Sequence, residues 1–317
     1  MNEDPERIFG LRKDGLRTAT FQAGVFITVV CTTVILFELI TALYRSPDVL
    51  REIYGYVSGI LVIIPVPVTI FTITGNALQL FYIMILITVT VAVGYLLWKS
   101  VPAMIRFTKD KEPDTIKKSM MFEFGTLFAA MYLVQTAFIL LLVLAGVDVA
   151  GTVPFDDKTK LEMMYLTIEA SVWEELVSRV LLIGVPMLVL AFIASDRKKW
   201  WKWLSGGFGM SRNAALLILF SALFFGIAHV PGWDLWKFLP AFITGLGLGY
   251  LFVRYGLYAA IAMHFMFNYL SSSDWLLNDG GVLLSLVAIL IALFGIPYAW
   301  LYTKRGLDYL KVEFRRA

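Results

Sequence analysis

Long apolar runs alternate with short charged stretches along most of the chain. A helix needs about 20 predominantly apolar residues to cross the hydrocarbon core of a bilayer. By this measure we place spans at residues 21–43, 77–98, 121–145, 161–194, 213–230, 236–253, 257–272 and 281–303. The pattern therefore predicts an all-α fold, a polytopic bundle of about eight transmembrane helices.

A further apolar run, residues 54–74, is ambiguous because it contains Pro65 and Pro67 and is followed by Gly75-Asn76. Proline removes a backbone donor and interrupts a helix. Interrupted backbone at membrane depth is tolerated only where protein shields it. We expect this run to be a broken or re-entrant segment; if it crosses, the number of spans becomes nine.

Charged residues indicate the orientation of the spans. Lysine and arginine cluster after residue 98, after residue 194 and after residue 303, whereas residues 146–162 are acidic and residues 273–280 contain neither. Loops rich in lysine and arginine stay in the cytoplasm. With eight spans, this rule places both termini inside. We expect an integral membrane protein of a prokaryotic plasma membrane.

Composition agrees with this class. The chain is 59% hydrophobic and 16% charged, whereas soluble domains are roughly 45–50% apolar and 25% charged. The net charge of +3 comes from basic residues beside the spans, so it indicates contact with a bilayer and no nucleic-acid partner. One cysteine, Cys31, excludes an intrachain disulfide.

Charged residues interrupt the apolar run 161–194. Glu174, Glu175 and Arg179 lie near its middle, and ionisable groups at membrane depth are costly and usually functional. Glu175 and Arg179 are four residues apart on one helix face, where they can form an ion pair. Glu174 lies about 100° round the helix without that partner, so it is a candidate general base.

The only two histidines of the chain lie in later apolar runs. Phe225 and His229 are four residues apart, and so are His264 and Asn268, so each pair shares a helix face.

Two chemistries use these side chains. In the first, Glu174 activates water with help from His229, while His264 and Asn268 direct donors at one developing oxyanion. In the second, Glu174, His229 and His264 bind a catalytic zinc ion, with water as fourth ligand. Spacing alone leaves both open, so no cofactor is firmly implied and zinc is not excluded.

Other readings of the polar residues also stay open at this stage. Buried Glu, His and Arg are components of proton relays, so a proton-coupled transporter is one alternative. A non-catalytic membrane scaffold is another. Glu38 and Glu123 also lie in apolar runs, and we expect for them a structural or access-path role.

Three short motifs follow one another on separate predicted helices. They read EExxxR, FxxxH and HxxxN and are carried by Glu174, Glu175 and Arg179, by Phe225 and His229, and by His264 and Asn268. In these residues, and in this order, the chain resembles the CPBP family of intramembrane proteases. That family includes the CAAX prenyl endopeptidases and the bacteriocin-immunity (Abi) proteins.

The resemblance implies a function. Glu174 and His229 would activate water, and His264 and Asn268 would form the oxyanion hole. The substrate would be a membrane-associated or prenylated protein or peptide, from which enzymes of the CAAX branch remove the last three residues. The motifs do not settle metal dependence.

The sequence shows no internal repeat and no low-complexity linker, so we expect residues 1–317 to form one integral-membrane domain. The resemblance covers part of it. Its catalytic core would comprise residues 120–272, whereas the helices of residues 1–119 have no assigned role. Glu175, Arg179 and Phe225 would support the catalytic residues.

Overall fold

The fold is known from a computed structural model that describes residues 13–63, 67–149, 158–194, 200–272 and 279–315. Seven helices within these ranges are long and apolar enough to cross a membrane. The predicted all-α polytopic bundle is therefore confirmed, and the protein is an integral membrane protein. Which face of the membrane the termini occupy stays a prediction.

The N-terminal part contains four helices and a hairpin. Its elements are α1 (Lys13–Ile53), β1 (Val57–Ile63), β2 (Pro67–Thr74), α2 (Gly75–Asp110), α3 (Pro113–Lys117) and α4 (Met120–Leu144). The C-terminal part is helical in its described residues. Its elements are α5 (Lys160–Glu175), a π-helical segment (Leu176–Gly184), α6 (Val185–Ile193), α7 (Trp201–Ser205), α8 (Arg212–Trp233), a 3-10 turn (Leu235–Lys237), α9 (Phe238–Arg254), α10 (Leu257–Ser271) and α11 (Asp279–Arg315).

The ambiguous run 54–74 contains a β-hairpin in its described residues, so the run is broken as expected and is not one continuous helix. Strands β1 and β2 pair antiparallel from Val57↔Thr74 to Ile63↔Pro67. Pro67 is the first residue of its strand, where the missing N–H is tolerated, and Pro65 lies outside the described residues. Valine, isoleucine and threonine dominate both strands and favour extended backbone. Pairing between the two strands satisfies the backbone groups that face each other.

Seven of the eight predicted spans correspond to long helices, and the run 257–272 does not. Helix α10 has 15 residues, of which eleven are buried. At 1.5 Å per residue it is about 22 Å long, shorter than the roughly 30 Å hydrocarbon core. It packs chiefly against α2, α5 and α9. Its apolar sequence therefore serves internal packing and gave the same signal as a span.

Helix α5 and its continuation carry the first motif. Thr159 accepts a hydrogen bond from the Glu162 N–H, and the Glu162 carboxylate accepts one from the Thr159 N–H, which is a capping box. The helix then widens at Leu176 into the π-helical segment. Such wide turns are rare and occur frequently at functional sites. This segment contains Arg179.

Glycine allows helices α8 and α9 to pack closely. A Cβ at Gly245 would lie 2.9 Å from the Ala222 Cα, so a larger residue would force the helices apart. This agrees with the role of small residues between membrane helices. The close approach matters for the site, because α8 carries Phe225 and His229.

Gly245→Val is expected to destabilise the fold, because overpacking a tight interface typically costs about 1–3 kcal/mol. Thermal unfolding of the purified protein in detergent measures the loss. Gly94→Val is the matched control, since a Cβ at Gly94 in α2 meets no atom within 4 Å. Equal unfolding temperatures for the two variants would contradict the close packing of α8 on α9.

Candidate active site

A buried ion pair lies at the base of the site. Glu175 and Arg179 are both fully buried, and the Arg179 Nε donates to Glu175 Oε2 at 3.0 Å. The Arg179 Nη1 donates to Ser221 Oγ at 2.8 Å, and the guanidinium lies 5.0 Å from the centre of the Phe225 ring. A buried pair needs such further partners, because attraction alone rarely offsets the cost of desolvating two charges.

The same carboxylate orients one of the two histidines. The second oxygen of Glu175, Oε1, lies 2.9 Å from His264 Nδ1. Arg179 stabilises Glu175 as a carboxylate, which can only accept, so the His264 Nδ1 carries the hydrogen. The Nε2 of His264 therefore points away from the ion pair and lies 3.8 Å from Glu174 Oε2.

A backbone carbonyl orients the other histidine. His229 Nδ1 lies 2.7 Å from the Phe225 carbonyl oxygen, and a carbonyl only accepts, so this Nδ1 also carries the hydrogen. The rings of Phe225 and His229 are in contact, with centroids 4.6 Å apart. The His229 Nε2 lies 3.8 Å from Glu174 Oε2.

Glu174 is thus the meeting point of both imidazoles. Its side chain is 22% exposed, while its Oε2 atom is buried and has no hydrogen-bond partner among the described residues. Two Nε2 atoms face this oxygen at equal distances. The structure brings Glu174, His229 and His264 together from three different helices.

Asn268 lies on the same face of α10 but is engaged elsewhere. Its Nδ2 donates to the Thr167 carbonyl and to the Ser171 Oγ, both at 3.2 Å. Both N–H groups of the amide are therefore occupied by α5. The predicted role of Asn268 as an oxyanion donor requires its side chain to rotate, and stays a prediction.

A cavity of about 380 Å³ connects the four predicted catalytic residues. Besides these, the polar and aromatic lining residues include Gln135, Trp233, Lys237 and Thr244. The volume lies near the lower end of the 300–1,000 Å³ typical of small-ligand pockets. The cavity therefore suits a short stretch of extended chain better than a helix.

The β-hairpin reaches the opposite side of Glu174. Trp173 Nε1 donates to the Leu61 carbonyl of β1 at 2.6 Å. A second cavity of about 20 Å³, enough for one water molecule, lies among Leu61, Trp173, Glu174 and His229. The N-terminal part of the chain, which had no assigned role, thus contributes one wall beside the candidate base.

Sequence reasoning missed the polar residues that hold the site together. Ser221 bridges Arg179 to the Ser178 carbonyl, and Ser171 holds Asn268. Serine in a membrane helix commonly bonds to neighbouring backbone, so residue type alone gives no signal. Lys237 was missed because it lies at the edge of an apolar run.

Glu38 and Glu123, the two other carboxylates noted in the sequence analysis, lie apart from Glu174, His229 and His264. Glu123 accepts hydrogen bonds from the hydroxyls of Tyr250 and Tyr255 and so ties α4 to the end of α9. Glu38 is buried in α1, and neither of its oxygens has a hydrogen-bond partner in the described residues.

The zinc alternative requires Glu174, His229 and His264 to hold one metal ion. A carboxylate and two imidazoles are zinc ligands in chemical terms, but tetrahedral bonds of 2.0–2.1 Å hold donor atoms about 3.3 Å apart. The two separations from Glu174 Oε2 are both 3.8 Å. No group of three or more His, Cys, Asp or Glu side chains in the described part of the chain is arranged to hold a metal ion. The donor set of Glu174, His229 and His264 suits zinc chemically, and the choice between a glutamate-dependent and a zinc-dependent mechanism stays a prediction.

Comparison with known families gives one match. Residues 157–270 match the family model described as type II CAAX prenyl endopeptidase, Rce1-like. For this segment, the match supports a CAAX-type intramembrane protease family. The search of curated proteins and the search of solved structures give no match.

The CAAX protease segment runs from just before α5 to the end of α10 and covers about a third of the chain. It contains Glu174, His229, His264 and Asn268. The matched family consists, in general terms, of proteases that act on membrane-associated, prenylated proteins. The extension of the core back to residue 120 stays a prediction.

Arg179→Met is expected to destabilise the protein by about 3–5 kcal/mol, because it leaves the Glu175 carboxylate buried without its counter-charge. Thermal or denaturant unfolding in detergent measures the cost. The double variant Glu175→Gln/Arg179→Met leaves no buried charge without a partner, and the glutamine side-chain oxygen still accepts from the His264 Nδ1–H. The double variant should therefore be more stable than Arg179→Met alone; costs that simply add would show that the pair is not coupled.

Proposed function

We propose that this protein is a glutamate-dependent endopeptidase that releases a short C-terminal peptide from a prenylated protein. The observation that carries the proposal is the position of Glu174 Oε2, which faces the Nε2 atoms of His229 and His264 at 3.8 Å each. All three side chains line one cavity. The family match favours this hydrolase over the transporter and scaffold alternatives.

The geometry accommodates the attacking water. Atoms 3.8 Å apart are too distant for a direct hydrogen bond, but one water oxygen can lie within hydrogen-bond distance of both. A water that donates to Glu174 Oε2 and to His229 Nε2, and accepts from the Nε2–H of a protonated His264, would have three polar partners, the usual number for a buried water. This position suits deprotonation by the Glu174 carboxylate.

The proposed reaction consists of attack and collapse. The water oxygen bonds to the scissile carbonyl carbon while one water proton passes to Glu174, and the carbonyl oxygen becomes an oxyanion. The C–N bond then breaks as the oxyanion electrons re-form the carbonyl. The proton on Glu174, relayed through His229, passes to the departing amine. One water is consumed, and the products are a carboxylic acid and an amine, between which a proton passes to give a carboxylate and an ammonium.

The neighbouring ion pair equips His264 to stabilise the oxyanion. With its Nδ1–H held by Glu175, a protonated His264 has one remaining donor, the Nε2–H, directed into the cavity. A charged donor fixed before the reaction stabilises a developing oxyanion without reorganisation. Rotation of Asn268 toward the cavity would supply a second donor.

Glu174→Gln is expected to lower kcat for a farnesylated CAAX reporter peptide at least about 100-fold, because a general base contributes roughly 10²–10⁴. The assay uses wild type and variant reconstituted in liposomes. Glu52→Gln, at an exposed position of α1, is the matched control and should cleave like wild type. Full activity of Glu174→Gln would refute the role of Glu174.

Treatment with a strong zinc chelator is expected to leave reporter cleavage by wild type essentially unchanged, because the proposed steps use only side chains and water. The chelated enzyme is assayed beside an untreated sample and one to which zinc is restored. Loss of activity on chelation with recovery on zinc addition would contradict the metal-free mechanism and would reinstate Glu174, His229 and His264 as zinc ligands.

A further inference from the structure

We infer that Lys237 binds the free C-terminal carboxylate of the peptide that the enzyme releases. The inference rests on the proposed function and adds to it a residue that selects for a chain end. Lys237 lines the same cavity as Glu174, His229 and His264. None of the three sequence motifs includes it.

A tight turn brings Lys237 to the cavity. Helix α8 ends at Trp233, and Asp234 adopts the left-handed conformation with φ of 70°. The Asp234 side chain accepts from the Leu235 N–H at 2.6 Å, and its carbonyl accepts from the Lys237 N–H at 3.2 Å. The turn is therefore fixed by two bonds to one residue, and Lys237 is positioned by backbone geometry.

Two tryptophans hold the ammonium group. The Lys237 Nζ lies 4.2 Å from the Trp233 ring centre and 5.5 Å from the Trp236 ring centre. Cation–π contacts attract the charge but do not occupy its N–H donors. Among the described residues, Lys237 makes no ion pair and no side-chain hydrogen bond, so its three donors are available to a ligand.

The charge of Lys237 acts on the catalytic side of the cavity. Its ammonium interacts electrostatically with Glu174 and with His229, yet no carboxylate lies within ion-pair distance in the described part of the chain. A half-buried cation in apolar surroundings loses hydration. An anionic ligand offsets that loss, so the cavity favours a carboxylate at this end.

The dimensions match a short peptide tail. Three residues in extended conformation reach about 10 Å, and a cavity of about 380 Å³ limits the tail to a few residues. With the scissile carbonyl at Glu174 and His229, the terminal carboxylate is directed toward Lys237. The cavity thereby distinguishes a chain end from an internal peptide bond, which has no anion to offer.

Binding of a tripeptide to the Glu174→Gln variant tests this inference without requiring hydrolysis. Calorimetry compares an aliphatic tripeptide acid with the same tripeptide as its C-terminal amide, in nanodiscs of zwitterionic lipid. A charge-assisted hydrogen bond in a sheltered cavity predicts at least about tenfold tighter binding of the acid. Adding Lys237→Met should reduce this ratio to nearly one, and adding Lys237→Arg should retain most of it.

Lys99→Met is the matched control. Lys99 is also a lysine over two aromatic rings, those of Tyr95 and Trp98, but it does not line the cavity. Its replacement should leave the preference for the acid intact. Binding of the amide by each variant reports that the cavity is folded.

Two results would overturn the inference. In the first, the acid and the amide bind equally to Glu174→Gln. In the second, the preference for the acid survives Lys237→Met.

The proposed function fails separately. It fails if wild type does not cleave the farnesylated reporter, whatever the binding data show. A preference for the acid that depends on Lys237, found together with absent cleavage, would therefore support carboxylate binding by Lys237 and refute the proposed reaction.

Discussion

The arrangement of the site depends on one buried ion pair. Glu175 accepts from Arg179 with one oxygen and from His264 with the other. This carboxylate therefore both neutralises a buried guanidinium and fixes the orientation of the His264 imidazole on another helix. Because Arg179 also bonds to Ser221 of α8, three helices meet at two charged side chains. The charges at membrane depth are thus retained through mutual compensation, and Glu174 is left unpaired beside them.

The scaffold places this pair where water and substrate can reach Glu174. The π-helical segment begins directly after Glu175, and close packing at Gly245 holds α8, with His229, against α9. Helix α10 is too short and too buried to serve mainly as a span, so its role is to carry His264 and Asn268 into the centre. The hairpin lies outside the segment matched by the family model. Its residue Leu61 lines the small cavity beside Glu174. The catalytic segment therefore functions within a larger bundle.

Much of the site was predictable because its residues are chemically rare in membrane helices. Charged and imidazole side chains at membrane depth stand out, and helical spacing predicts which share a face. The supporting contacts were not predictable, since Ser171, Ser221 and Lys237 belong to residue types that occur throughout such proteins. The hairpin was missed because an apolar run of its length fits a span as well as two strands. Residues 257–272, which contain helix α10, were predicted to be a span because burial in protein and exposure to lipid both select apolar residues.

The central claim is that Glu174 activates water and does not itself attack the substrate. A single turnover of the farnesylated reporter in ¹⁸O-labelled water, followed by mass spectrometry of both products and of the enzyme peptide containing Glu174, tests it directly. The account predicts one labelled oxygen in the newly formed carboxylate of the prenylated product and none in Glu174. Label in the Glu174 side chain with an unlabelled product would contradict it, because that result requires an anhydride between Glu174 and the substrate.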